Sequence, residues 1–213
     1  MKLVFFNLRE DEKSALESWK NAHPEVEIDV YTEELTSANK HLLEGKEGVV
    51  LAQNKPFERD VYEYAKEQGV KVFATRSAGF DIYDLELMSE FGIKMTNVPS
   101  YSPNAIAEHV LTSALRISRN TNKIQRNLEK HNFSWNPGIL SRELRTLTVG
   151  VIGTGRIGTQ AARLFSALGS KVLGYDVYQN EAAKEVLKYV ENLDDLIATS
   201  DIITIHMPAI KEY

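Results

Sequence analysis

The chain of 213 residues contains no cysteine. That excludes disulfide scaffolds, thiol nucleophiles, Cys-ligated zinc and iron–sulfur clusters. It also lacks a long apolar run. No segment approaches the ~18–20 apolar residues of a membrane helix. The opening run Leu3-Val4-Phe5-Phe6 is too short for a signal-peptide core, and Arg9 to Lys13 is nearly all charged. A basic excess is missing as well. Lys plus Arg number 25 against 30 Asp plus Glu, a formal charge of −5, and no basic cluster suits phosphate neutralisation. No H-x-x-E-H pattern or carboxylate cluster supports a metal site. What is present is core material: 43% apolar and 26% charged residues, the balance of a soluble, cytoplasmic globular protein that binds neither nucleic acid nor membrane.

Apolar strand-like runs alternate with helix-like stretches through the first hundred residues. Strands are expected over 2–6, 26–31, 48–51, 70–74 and 93–96, with helices over 11–22, 37–44, 57–68 and 84–91. The rhythm implies a parallel sheet with helices on both faces. Asn97-Val98-Pro99-Ser100-Tyr101-Ser102-Pro103 holds two prolines in five residues and reads as a stiff crossing between domains. One long helix is expected from Pro103, capped by Ser102, to about Lys130. Three further strands are expected over 147–152, 171–175 and 202–206, with helices over 157–168, 180–188 and 193–198.

The strongest local signal is Val149 to Gly158, which holds Gly153-Thr154-Gly155-Arg156-Ile157-Gly158 between a strand and a helix. Gly153 allows the tight turn, Gly155 lets backbone N–H groups approach a pyrophosphate, and Gly158 lets the helix pack on the sheet. The helix N-terminus adds N–H donors and a partial positive charge. The following strand ends at Asp176, 18 residues after Gly158, close to the ~20 expected of the acid that binds the adenosine ribose. Its carboxylate would repel a 2′-phosphate, and no Arg follows in Val177-Tyr178-Gln179, so NAD is favoured over NADP. The three strands make one mononucleotide half of a dinucleotide fold, and the chain is expected to be part of a longer protein.

Arg76-Ser77-Ala78-Gly79-Phe80-Asp81, Asn97 to His109, the glycine loop and Ile205-His206-Met207-Pro208 together resemble the NAD-dependent D-2-hydroxyacid dehydrogenases, near the branch acting on lactate. The resemblance covers essentially the whole chain. It implies an α/β protein in which a flavodoxin-like substrate domain (1–100), completed by a C-terminal tail, precedes the first half of a Rossmann-type NAD-binding domain (101–213), both with parallel sheets. It places Ala78 and Gly79 on the substrate carboxylate, Tyr101 at the cleft and Ala52 by the substrate side chain. Thr154, Gly155, Arg156 and Ile157 fall on the pyrophosphate, Asp176 on the ribose, and His206, Met207 and Pro208 along the cofactor. The activity implied is reduction of a small 2-keto acid, pyruvate foremost, by NADH. The acid/base His, its carboxylate and the polarising Arg are expected beyond Tyr213, so no catalytic group is assigned here and no turnover is expected of this stretch alone. The resemblance also implies a homodimer formed through the cofactor domain.

Several alternatives stay open. A small residue at 52 leaves room for branched substrates, as in a D-2-hydroxyisocaproate-type enzyme, and a non-catalytic NAD-binding regulatory module would share the fold. His206 reads as lining or structural rather than proton-transferring. Arg76 either binds substrate or anchors its loop. Glu108 and His109 point about 100° apart on a helix and form no ligand pair. His23, His41 and His131 read as surface residues.

Overall fold

The central strands of the first half carry buried or half-buried side chains on both faces, and the register of the sheet shows why. Strands β1 (Lys2–Phe5), β2 (Glu27–Val30), β3 (Gly48–Leu51), β4 (Val72–Thr75) and β5 (Lys94–Thr96) are all parallel, in the order β2-β1-β3-β4-β5. Val4, Val49, Phe73 and Met95 line up across four of them. Side chains in parallel register share a face, and this row packs against Val61, Tyr62 and Ala65 of α2 (Arg59–Glu67) and Met88 of α3 (Leu85–Phe91). Each fully buried Val or Phe contributes about 1.5–3 kcal/mol. The opposite face carries Leu3, Phe5, Ile28 and Val50. Helix α1 (Lys13–Ala22) covers it with Leu16 and Trp19 and leaves an apolar groove of about 380 Å³. This computed structural model describes residues 1–207. The strand order is that of flavodoxin-like folds.

The chain divides into two compact units, Met1–Tyr101 and Ser102–Tyr213. In the second, β6 (Thr148–Ile152), β7 (Lys171–Tyr175), β8 (Lys188–Tyr189) and β9 (Ile202–Ile205) form an all-parallel sheet in the order β8-β7-β6-β9. Helices α4 (Pro103–Ser118), α5 (Thr121–Glu129), α6 (Arg156–Ala167) and α7 (Leu193–Thr199) accompany it. The chain leaves β6 first toward β7 and later returns on its other side as β9. That reversal makes the C-terminal ends of β6 and β9 the topological switch point, where open α/β sheets bind ligands. Among the described residues, no helix is long and apolar enough to cross a membrane.

Three local expectations need correction. The long helix from Pro103 to Lys130 is two helices, broken at Asn120, whose φ is +53°. Asn tolerates this left-handed conformation, and the break is tied by Thr121 Oγ1 donating to Arg116 O and by Arg116 Nη2 donating to Asn122 Oδ1. The helix expected over 180–188 is a short 3₁₀ turn, Glu181–Ala183, followed by strand β8. The second sheet therefore has a fourth strand where three are expected. Leu187 draws the segment onto the sheet: a Cβ on Gly174 would lie 2.7 Å from it. The helix over 37–44 shrinks to a 3₁₀ turn, Lys40–Leu43.

Candidate functional site

The glycine loop lies at the switch point. Gly153 follows β6 with φ +84°, and a Cβ there would sit 2.7 Å from the backbone of His206 and Met207. Only glycine lets the turn pass so close to the end of β9. A Cβ on Gly158 would sit 2.0 Å from the Gly153 carbonyl oxygen, so α6 could not start where it does. At Gly155 a Cβ would meet nothing within 4 Å. Helix α6 begins there without a side-chain cap and with no acid in its first turn. An uncapped helix N-terminus beside open space fits a phosphate. Arg156 is exposed and Ile157 half-buried on this first turn.

Thr154, expected on the pyrophosphate, is bonded to Asp176. It is 1% exposed, and its N–H and hydroxyl both donate to Asp176 Oδ2, at 2.6 and 3.1 Å. Its carbonyl accepts from Thr159 Oγ1 at 2.8 Å and from Asn180 Nδ2 at 3.1 Å. In a trans peptide the next N–H points opposite to that carbonyl. Gly155 N–H is thereby aimed away from Thr159 and Asn180. Asp176 Oδ1 accepts from Tyr178 N–H at 3.1 Å. Burial pushes the Asp176 carboxyl up, but the bonds from Thr154 and the 177–178 backbone outweigh it and hold its pKa below the usual value. The carboxylate is ionised, fixed and half-exposed, which suits a ribose diol.

His206 N–H donates to Ile152 O at 2.7 Å, holding the end of β9 against β6. Its Nε2 lies 2.9 Å from Thr204 Oγ1, and burial lowers its pKa, so the ring is neutral. Among the described residues no carboxylate bonds to it. Met207 follows, partly exposed, and Pro208 lies outside the described residues. No group of three or more His, Asp or Glu among the described residues could hold a metal.

In the first unit, Ala52 and the segment Arg76–Phe80 follow the adjacent strands β3 and β4 and share one sheet edge. Three successive carbonyls of this segment are hydrogen-bonded. Ser77 O accepts from Val98 N–H at 3.0 Å, Ala78 O from Asn97 Nδ2 at 2.8 Å, and Gly79 O from Ser77 Oγ at 2.6 Å. By the same planarity argument the N–H groups of Ala78, Gly79 and Phe80 point the other way. In these peptides the described hydrogen bonds are made by the carbonyls. Successive backbone N–H groups form an anion-binding concavity. Arg76 is not part of it. Its guanidinium bonds Glu12, Phe6 O and Asn7 O and stacks on the Phe5 ring, which makes it an anchor of the loop. Asn7 in turn donates from Nδ2 to Ala52 O at 2.6 Å. Tyr101 ends this unit with its side chain 85% exposed.

The comparisons with known proteins agree with this geometry. A family model described as "D-isomer specific 2-hydroxyacid dehydrogenase, NAD binding domain" matches residues 111–213. A D-lactate dehydrogenase from Treponema pallidum is 50% identical over 212 residues, covering 100% of this chain and 64% of the relative. Along its whole length the chain is similar to D-2-hydroxyacid dehydrogenases. The crystal structure of that T. pallidum dehydrogenase superposes with a TM-score of 0.84 across 100% of this chain and 64% of its own. An Aquifex aeolicus D-lactate dehydrogenase, solved with NAD and lactic acid, gives 0.89 at 33% identity across 99% and 62%. The chain thus spans about 64% of the length of the curated relatives it matches.

The structure brings to these two loops residues that the sequence does not single out. Asn97 and Ser77 orient the anion loop, and Asn180 and Tyr189 support Thr154. Asn97 and Ser77 lie inside the motifs that carry the resemblance, so their position was a signal even though their task was not. Tyr189 had none, because it meets Thr154 only through the pairing of β8 with β7. Thr154 supports Asp176.

Proposed function

We propose that the whole protein is an NAD-dependent D-2-hydroxyacid dehydrogenase that reduces pyruvate to D-lactate in the cytoplasm. The observation that carries this reading is the glycine turn closing on His206 with the Asp176 carboxylate fixed beside it. NAD, when bound, supplies or accepts the hydride. Gly155 N–H and the first turn of α6 would bind the pyrophosphate, and Asp176 would accept from the adenosine ribose hydroxyls and repel a 2′-phosphate. His206 and Met207 would line the cofactor, with Gly153 and Gly158 allowing the close approach.

In the 1–100 domain, Ala78 and Gly79 N–H would hold the substrate carboxylate, with the Tyr101 hydroxyl assisting and Ala52 bordering the substrate side chain. The groups that polarise the keto oxygen and exchange its proton are expected in the part of the relatives' length that this chain does not span. Exposed Ile124, Leu128, Phe133 and Trp135 on α5 and the segment after it give the 101–213 domain an apolar surface suited to a homodimer.

The test is chiral analysis of the product made by the whole protein from pyruvate and NADH. D-lactate is expected. L-lactate, or no turnover of any 2-keto acid, would overturn the reading.

A further inference from the structure

A two-residue strand at a sheet edge is an odd feature. β8 pairs with β7 only through Leu173 with Lys188 and Gly174 with Tyr189. What it achieves is the placement of one hydroxyl. Tyr189 Oη lies 2.6 Å from Thr154 Oγ1 and accepts from Asn180 N–H at 2.8 Å. Thr154 Oγ1 in turn lies 3.1 Å from Asp176 Oδ2.

The protons along this chain have one consistent arrangement. A backbone N–H only donates and a carboxylate only accepts. With Asn180 N–H at one end and Asp176 at the other, each hydroxyl between them donates toward Asp176. The alternative for the Tyr189 hydroxyl, donation to Asn180 O, is longer at 3.4 Å. Chains of this kind polarise one another, so the last bond is strengthened by the first. Thr154 is buried with its hydroxyl committed on both sides, and a buried hydroxyl that loses its donor is costly to leave unmatched.

We propose that Tyr189 is a positioning residue for cofactor selection: through the Thr154 hydroxyl it fixes the orientation of the Asp176 carboxylate that reads the ribose. This rests on the reading of Asp176 as the ribose-binding group. It deepens that reading by naming what holds the carboxylate in place from the next strand. The same chain holds Thr154, whose carbonyl aims Gly155 N–H outward, so one tyrosine supports both the ribose and the phosphate ends of the site.

The test uses the whole protein and two measurements, equilibrium NADH and NADPH binding by fluorescence and, without cofactor, hydrogen exchange at the Thr154 amide. Tyr189→Phe is expected to weaken NADH about 5–10-fold, to narrow the NADH/NADPH ratio, and to speed Thr154 exchange by tenfold or more, from loss of one charge-directed hydrogen bond. Thr154→Val should reproduce these effects and carries the same test if Tyr189→Phe does not fold. Thr154→Ser, which keeps the hydroxyl, should restore NADH affinity to within about twofold, as a retained bond requires. In an Asp176→Asn background, Tyr189→Phe should add little, because coupled groups are non-additive. An equal loss in both backgrounds would show a merely structural role and overturn the proposal. Unchanged NADH affinity and exchange in Tyr189→Phe would do the same, with the Asp176 reading left standing if Asp176→Asn still weakens NADH. Asp176→Asn binding NADH normally would instead sink the ribose reading, and the proposal with it.

Discussion

Arg76 grips Glu12 with two hydrogen bonds, Nε to Oε1 at 3.0 Å and Nη2 to Oε2 at 2.9 Å, and both side chains are only 18% exposed. The remaining guanidinium donors take Phe6 O and Asn7 O, so one side chain ties the ends of β1 and β4 to the start of α1. Lysine cannot reproduce this fork. Arg76→Lys is expected to destabilise the first unit by about 1–3 kcal/mol, and Arg76→Ala by about 3 kcal/mol or more, because the mostly buried Glu12 then keeps only Arg9 as a partner. Denaturant unfolding of the whole protein checks both.

The same pair sets a pH dependence. Burial pushes the Glu12 carboxyl up, but hydrogen bonds from Arg76 and Arg9 outweigh it and hold its folded pKa below the ordinary value. A depressed folded pKa means stability that is complete above the ordinary glutamate range and lost as pH falls through the folded value. Glu12→Gln should therefore cost stability at neutral pH and progressively less in acid. An equal cost at pH 7 and at pH 3 would contradict this account of Glu12.

Asn97 donates to Ala78 O and so decides where Gly79 N–H points. Asn97→Ala frees that peptide to rotate. The expected result is a rise in KM for every 2-keto acid by about the same factor, roughly 5–10-fold for one lost orienting bond, with thermal stability nearly unchanged. A loss that depends on substrate side chain would move Asn97 away from the carboxylate.

Periodicity carried the fold where packing and pattern coincide. Gly48–Leu51 and Lys171–Tyr175 are strands in the structure as in the sequence, because each is a short apolar run bounded by turn residues. The glycine loop was equally legible, since Gly153 and Gly158 answer to close approaches within a single strand–turn–helix unit. Asn120 was not, because the apolar stripe runs through the break and a left-handed residue leaves no mark on it. The stretch 180–188 has helix-forming composition, yet Asn180 Oδ1 caps Ala182 N–H in a single 3₁₀ turn and Leu187 then packs over Gly174. Tertiary contact overrode propensity there, and it concealed Tyr189. The place of Thr154 in the loop is legible, whereas its bond to Tyr189 depends on a neighbour in the sheet.

Ala52 and Tyr101 separate substrate size from carboxylate binding. If Ala52 borders the side chain, Ala52→Tyr should lower kcat/KM for 2-ketoisocaproate by roughly 1–3 kcal/mol, the usual cost of overpacking, and leave pyruvate little changed. Tyr101→Phe should weaken both substrates about equally, by about 0.5–1.5 kcal/mol. An unchanged ratio of the two substrates in Ala52→Tyr would place residue 52 outside the pocket.

The proposed function makes the second unit an NAD site in which Asp176 recognises the ribose. The most direct test is titration of the whole protein with NADH and with NADPH, alongside the same titration of Asp176→Ala. NADH should bind at least about tenfold more tightly than NADPH, a difference of about 1.4 kcal/mol, and Asp176→Ala should bring the two within a few-fold of each other. Equal affinity for both cofactors in the unsubstituted protein, or a preference that survives Asp176→Ala intact, would contradict the account.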